Sequence, residues 1–157
     1  SSPMPGIDTD TIMLIVQLEN SPLPEHQLST SLVRVARQVE STLGTAVDFT
    51  FGHHAAPANS GSTVCTLVFQ SGAIFIAHGD MGEYATIGRS YTDPCAITLR
   101  APSLTDADLL ELTIAHELGH ILGLQHNTRE PESIMHSPLQ PETAVRFTAY
   151  DLSRRTL

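Results

Sequence analysis

Hydrophobic positions along the first third of the chain change from a continuous run to a helical period and back. Residues 11–18 form an apolar run of strand length, typical of a strand covered on both faces. Over Glu25–Leu43 apolar residues recur every three or four positions, which predicts an amphipathic helix that Gly44 ends. Ala46–Phe51 is a second predicted strand. This strand–helix–strand order predicts a partly parallel sheet with a right-handed crossover.

Shorter apolar segments follow, separated by turn-forming residues. Residues 63–69 and 73–77 have the pattern of strands, which either form a hairpin or contribute only one strand to the main sheet. Residues 84–91 and 96–100 have the same pattern on either side of an Asp-Pro pair. The pattern therefore predicts a sheet of about five strands.

The last third of the chain has a helical pattern instead. Ser103 or Thr105 is the expected N-cap of a helix that continues to about Leu122. Apolar residues occupy nearly every side of this helix, which is typical of a buried helix. The polar residues inside it therefore require a partner or a function.

Those polar residues form the pattern H-E-x-x-H-x-x-G-x-x-H, which begins at His116. Four helical residues turn by about 400°, so His116 and His120 share one face, whereas Glu117 is rotated by about 100°. His126 reaches the same point only if the helix ends, and Gly123 permits this because glycine adopts the left-handed conformation.

Three neutral imidazoles fill three of the four tetrahedral positions of zinc and leave the fourth to water, as in catalytic sites. Zinc lowers the pKa of its bound water to about 7, and Glu117 can take the proton and deliver it to a leaving amine. The pattern predicts zinc-dependent hydrolysis, most directly of a peptide bond. A carboxylate could replace His126 as the third ligand, and the candidates are Glu130, Glu132 and Glu142. The spacing from Gly123 to His126 makes this alternative unnecessary.

These residues resemble the metzincin clan of zinc endopeptidases, and in particular its matrixin-like members. Met135 stands nine residues after His126 and fits the clan's Met-containing turn beneath the zinc. Thr148, with Asp151 three residues later, resembles the cap of the short C-terminal helix of matrixins. Ser137 stands where several subfamilies have a tyrosine, so no tyrosine transition-state donor is inferred.

The resemblance implies a zincin-like α+β fold with an α/β-type N-terminal part. Its twisted, mostly parallel sheet of about five strands has an antiparallel edge strand, and a backing helix, a central active-site helix and a short C-terminal helix complete it. Residues 1–157 would form one minimal catalytic domain, with an N-terminal subdomain over 1–123 and a C-terminal subdomain with the Met-turn over 124–157. By order the edge strand is residues 84–91, from Tyr84 to Tyr91, where a protein or peptide substrate would pair.

The amino-acid composition limits which binding partners the chain can have. The chain has 8 basic residues, all arginine, against 17 acidic ones, for a formal net charge of −9. Such a charge opposes binding to phosphate backbones and to anionic membranes, and no apolar run approaches the roughly 18 residues of a membrane span. We therefore expect neither nucleic acid nor membrane as a partner. No signal peptide is visible at the start of the chain, so the protein either is made without one or is a mature form already trimmed. The resemblance and a possible disulfide imply a secreted enzyme with one catalytic zinc ion, and we expect a monomer.

Other residues are candidates for a disulfide bond and for further metal-binding sites. Cys65 and Cys95 can form one disulfide, worth about 3–4 kcal/mol, or remain two buried thiols. His78 and Asp80 resemble part of a matrixin structural zinc site, but no histidine follows at a spacing that completes it. Four acidic residues are candidates for binding calcium: Asp8, Asp10, Asp80 and Glu83. The favoured interpretation is that they are solvated surface residues.

Two other functions share part of the pattern. A bacterial endoribonuclease family involved in RNA maturation has the same three-histidine spacing, which makes zinc-dependent cleavage of single-stranded RNA an alternative. Glu117, Met135 and the net charge of −9 favour peptide hydrolysis instead. The second alternative keeps the fold but has no activity: a zinc-stabilised module whose cleft captures a peptide.

Overall fold

A computed structural model describes residues 10–52, 63–71, 85–88 and 95–156 of the chain. The strands and helices are β1 (Thr11–Val16), α1 (Glu25–Leu43), β2 (Ala46–Phe51), β3 (Thr63–Gln70), β4 (Ala85–Gly88), β5 (Cys95–Arg100), α2 (Ala107–Ile121) and α3 (Ala149–Ser153). The predicted elements within these ranges are confirmed, although β1 ends two residues earlier than the apolar run. The strand predicted at 73–77 lies outside the described residues.

One five-stranded sheet forms in the order β2-β1-β3-β5-β4. The first four of these strands are parallel to one another, whereas β4 is antiparallel to β5. This sheet confirms the predicted mixed fold with a mostly parallel sheet and an antiparallel edge strand. The apolar run of β1 is explained by its position, because β2 and β3 flank it and its side chains are largely buried.

The backing helix α1 buries one stripe of side chains. Its buried apolar residues, spaced by three or four positions, are Leu28, Leu32, Val35, Val39 and Leu43. Gly44 then adopts a left-handed conformation (φ 75°), and its N–H donates to the carbonyl of Glu40. Helix α1 contacts both β2 and α2 and so supports the helix that carries the motif. In the described ranges, no helix has the length and apolarity that a membrane span requires.

The start of α2 differs from the prediction. A 3₁₀ turn over Ala101–Ser103 precedes the helix, and its closing bond joins the N–H of Leu104 to the carbonyl of Ala101. This turn removes Ser103 from the capping position. The N-cap is Asp106, whose carboxylate accepts from the N–H of Asp108 at 2.8 Å. The expectation of a Ser103 or Thr105 cap was therefore wrong.

A disulfide joins Cys65 on β3 to Cys95 on β5, where the two residues are direct partners in the sheet. Both residues are fully buried. The bridge closes a loop with a sequence separation of 30 residues. The disulfide interpretation of the two cysteines is thereby confirmed.

We expect the double variant Cys65→Ala/Cys95→Ala to have a free energy of unfolding about 3 kcal/mol lower, because the unfolded chain regains the freedom of the closed loop. Urea unfolding followed by circular dichroism measures this loss. Wild-type protein with a reductant is the matched comparison, since it keeps both sulfur atoms but not the bond. An unchanged midpoint in both samples would contradict a stabilising role.

Candidate functional site

Helix α2 places the first two histidines of the motif on one buried face. The ring centroids of His116 and His120 are 4.7 Å apart, and their Nε2 atoms are 3.1 Å apart. Both residues are buried, and Glu117 between them is only 2 % exposed. The helix therefore buries two imidazoles and one carboxyl group within five consecutive residues.

The end of α2 brings in the third histidine. Gly123 adopts a left-handed conformation with φ 97°, as the sequence predicts for the residue that ends this helix. Its N–H donates to the carbonyl of His120, and the N–H of the next residue donates to the carbonyl of Gly119, which is the Schellman pattern. The chain then reverses, so the ring of His126 lies with its centroid 4.5 Å from that of His120 and 5.5 Å from that of His116.

Backbone carbonyls fix the orientation of the first two rings. Nδ1 of His116 lies 2.6 Å from the carbonyl oxygen of Ile134, and Nδ1 of His120 lies 3.0 Å from that of Leu124. Because a carbonyl oxygen can only accept, each Nδ1 carries the proton and donates it. The Nε2 atoms of both rings are then left as the potential ligand atoms, and they face each other across the common point. Two such ligands of a tetrahedral zinc ion lie about 3.3 Å apart, close to the observed separation.

The three rings fit a metal ion. One ring nitrogen from each of His116, His120 and His126 lies within 4.8 Å of the others. Imidazole nitrogen suits zinc among the common divalent metals, and backbone carbonyls that bind the opposite nitrogen are the usual second layer of such sites. Within the described ranges, this group contains none of the three carboxylates considered as third ligands.

The protonation state of His120 also suits a metal ligand. Burial, and secondly electrostatic repulsion from His126, lower the pKa of His120 to about 3, although the hydrogen bond to the Leu124 carbonyl raises it. The ring is therefore neutral at pH 7, which is the form of histidine that binds metals. No proton has to leave this ring when an ion binds.

A tight turn lies beneath α2. The N–H of Met135 donates to the hydroxyl of Ser133 at 2.9 Å, and Met135 itself is fully buried. Its sulfur packs against Gly119, where an added Cβ would be 2.5 Å from Sδ. The turn also supplies the Ile134 carbonyl that orients His116. The structure thus brings Met135 and the motif helix into direct contact.

We expect Gly119→Ala to destabilise the protein by about 1–3 kcal/mol, because the new methyl group overlaps the buried Met135 sulfur. Helix propensity alone predicts the opposite sign, since alanine in a helix is about 1 kcal/mol more favourable than glycine. Thermal unfolding of the two proteins decides between them. A higher melting temperature for Gly119→Ala would contradict the close packing of the turn on the helix.

A buried polar network joins this turn to α3. Thr148 and Asp151 form the predicted capping box, in which each side chain accepts from the backbone N–H of the other. The Asp151 carboxylate also accepts from the Asn127 amide at 2.9 Å and from the Ser133 hydroxyl at 2.6 Å. Asn127 directly follows His126, so the network ties the third histidine's neighbour to the turn. No sequence pattern indicates these two long-range bonds.

The remaining candidates are placed as follows. Of the expected edge strand, residues 85–88 are described and form β4. After Met135, the side chain of His136 donates from Nδ1 to the Pro138 carbonyl at 2.7 Å, and the N–H of Ser137, which stands where several subfamilies have a tyrosine, donates to the Asn127 carbonyl at 3.3 Å. Candidates for further metal sites that lie outside the described residues are Asp8, His78, Asp80 and Glu83.

Comparison with known proteins places this geometry in a family. The model of the Matrixin family of peptidases matches residues 36–154. Among solved structures, the fold is similar to that of metalloproteinase-II from Bacteroides fragilis, with a TM-score of 0.57 and 14 % sequence identity. The similarity covers 98 % of this chain and 53 % of that one, so the chain spans about half the length of the matched protein. No curated protein sequence matches the chain significantly.

The family match spans most of the chain, and it includes the helix and turn that bring three histidines together. Matrixins are zinc metallopeptidases, and the three imidazoles are suitable zinc ligands. The chain therefore belongs to the Matrixin family.

Proposed function

We propose that the chain is an endopeptidase in which His116, His120 and His126 hold one zinc ion and Glu117 is the general base. The observation that supports this most strongly is the convergence of three imidazoles, two of which are oriented by backbone carbonyls. Three protein ligands leave one tetrahedral position for solvent or substrate, as catalytic zinc sites require.

Each residue of the motif then has a separate task. Bound zinc supplies a Lewis acid that polarises a carbonyl group and lowers the pKa of water. Glu117, at the helix position next to His116, accepts a proton from the attacking water and delivers it to the leaving amine. Gly123 ends α2 so that His126 can join the other two ligands, and Met135 supports the helix from below as the clan's Met-turn.

The substrate is proposed to bind as an extended peptide along β4. This strand is the last in the sheet order, so the sheet as described continues on one side of it only. An extended peptide that adds an antiparallel strand there forms main-chain hydrogen bonds on both sides of the bond to be cut. Such binding favours cleavage inside a chain rather than at its ends.

The setting of the enzyme is proposed from charge and cross-linking. A disulfide between β3 and β5 supports a secreted protein, because disulfides persist in oxidising compartments. The net charge of −9 supports peptide rather than nucleic acid or membrane as the partner. We further propose a monomer with one catalytic domain over 1–157, divided after Gly123 into subdomains 1–123 and 124–157. Calcium binding, for which the acidic residues are candidates, is not part of this proposal.

The experiment that tests this function combines metal analysis with substrate profiling. Purified protein is analysed for metal by mass spectrometry, and a mixed peptide library and a single-stranded RNA oligonucleotide are incubated with it in parallel. We expect one zinc per chain and internal peptide cleavage that a chelator abolishes and added zinc restores. Trimming only from peptide ends would contradict an endopeptidase, RNA cleavage alone would indicate a nuclease, and peptide binding without cleavage would indicate a silent module.

A further inference from the structure

The residues that follow α3 lie against the turn that carries the third histidine. Arg154 donates from Nη1 to the His126 carbonyl oxygen at 3.2 Å and from Nη2 to the Gln125 side-chain oxygen at 2.9 Å. The Gln125 amide in turn donates to the Arg154 carbonyl oxygen at 3.2 Å. These reciprocal bonds hold the guanidinium fork over the backbone of residues 125–126.

The next two residues bond the earlier part of the same turn. Arg155 donates from Nε to the Leu122 carbonyl at 3.0 Å and from Nη1 to the Leu43 carbonyl at 3.1 Å. The N–H and the hydroxyl of Thr156 both donate to the Gly123 carbonyl, at 2.9 Å and 3.0 Å. Arg155 therefore places a cation at the C-terminal carbonyls of α1 and α2, where the helix dipole favours positive charge.

We infer that residues 154–156 form a strap that positions the third metal ligand, with Arg154 as the positioning residue for His126. The inference rests on the proposed function, because it takes His126 as a zinc ligand. Helical hydrogen bonds fix the backbone of His116 and His120, but they end at the Gly123 turn. Beyond this point the direction of the His126 ring depends on the backbone on both sides of it. Asn127 holds the following side through its bond to Asp151, and the strap bonds the preceding side at Leu122 and Gly123, and His126 itself.

The strap should affect metal binding more than folding. Zinc requires its ligands within a few tenths of an ångström of their final positions, so a loose third ligand has to be ordered when the ion binds. Loss of outer contacts of this kind typically lowers metal affinity by about 10–100-fold. Long-range electrostatics predicts the opposite sign, because removing the positive charge of Arg154 near the site favours a divalent cation.

Arg129 provides the matched control. Its guanidinium lies 4.8 Å from the centre of the Tyr150 ring, and that of Arg154 lies 5.1 Å from the same ring. Within the described residues, the side chain of Arg129 is not hydrogen-bonded to the 122–126 turn. Arg129→Ala therefore removes the same charge from the same neighbourhood and leaves the strap intact.

The test compares Arg154→Ala, Arg154→Lys and Arg129→Ala with the wild type. The zinc dissociation constant is measured by competition with a chromophoric chelator, and the visible spectrum of cobalt-substituted protein reports ligand geometry. Thermal unfolding of the metal-free proteins reports folding. For Arg154→Ala we expect a dissociation constant raised about tenfold and an altered cobalt spectrum, with a metal-free melting temperature similar to that of Arg129→Ala. Arg154→Lys should recover part of the affinity, since lysine keeps the charge but not the fork.

Several outcomes would overturn the strap. Wild-type affinity and cobalt spectrum in Arg154→Ala would do so, as would an equal loss of affinity in Arg129→Ala. If Arg154→Ala does not fold, Arg154→Lys carries the test, and a wild-type spectrum and affinity there would contradict the inference. His126→Ala separates this inference from the proposed function: if it binds zinc as the wild type does, the proposed ligand set fails, whereas weakened zinc binding in His126→Ala beside normal binding in Arg154→Ala removes only the strap.

Discussion

Glu117→Gln is expected to keep its zinc ion and to lose peptide hydrolysis, with kcat/KM lower by about 10²–10⁴-fold. Glutamine has nearly the same shape as glutamate, so the packing at this residue, which is 2 % exposed, is preserved. Its amide cannot accept and return a proton, so the water is no longer activated. The three imidazoles are untouched, and metal binding should therefore be unaffected.

The measurement is kcat/KM on one internally cleaved peptide, together with zinc content and the melting temperature of the zinc-loaded protein. Glu111→Gln is the matched control, because Glu111 lies six residues earlier on α2 and pairs with Arg34 on α1 at 2.8 Å. This control should cleave at the wild-type rate. Wild-type cleavage by Glu117→Gln would exclude Glu117 as the base, and loss of zinc from that variant would assign the residue a structural role.

His126→Ala is expected to raise the zinc dissociation constant by about 100-fold or more. Structural zinc sites with four protein ligands bind with about 10–16 kcal/mol, or roughly 3 kcal/mol for each ligand. After removal of one imidazole from a set of three, a chelator at micromolar concentration should therefore remove the zinc ion from the protein. The rate of peptide hydrolysis should fall together with zinc binding, because this variant loses the zinc ion although Glu117 is still present.

His26→Ala is the control for this variant, since His26 is an exposed residue on α1. Zinc competition assays on both variants and the wild type provide the comparison. Wild-type zinc affinity in His126→Ala would contradict the proposed ligand set and would assign the third ligand to another residue.

Much of the fold follows from local pattern. Helix α1 can be predicted from its apolar residues, because a helix that packs on a sheet buries one stripe of side chains spaced by three or four positions. The glycine that follows marks where the helix ends. The continuous apolar run of β1 reflects its place between two parallel neighbours. The motif also specifies its own geometry, because the spacing of His116 and His120 on a helix and the conformational freedom of Gly123 are local properties.

Other features depend on partners that are distant in sequence. The N-cap of α2 is Asp106 rather than Ser103 or Thr105, because the preceding 3₁₀ turn changes where the helix begins. The hydrogen bonds that Asp151 accepts from Asn127 and Ser133 join segments that are far apart in sequence, so the periodicity of apolar residues does not predict them. The local signal of Asp151 predicts only its capping bond.

One missed residue had a readable signal. Glycine inside a helix costs about 1 kcal/mol relative to alanine, so Gly119 in the buried helix calls for a close neighbour. Met135 is that neighbour. Arg154 and Arg155, in contrast, have the composition of an ordinary solvated helix end, and only the fold reveals their bonds to the 122–126 turn.

The most direct test of the central claim is a crystal structure of the zinc-loaded protein, with anomalous diffraction collected on both sides of the zinc absorption edge. We expect one zinc peak, with Nε2 of His116, Nε2 of His120 and a ring nitrogen of His126 each about 2.0–2.1 Å away. A peak elsewhere, or a carboxylate in place of His126 at this distance, would contradict it.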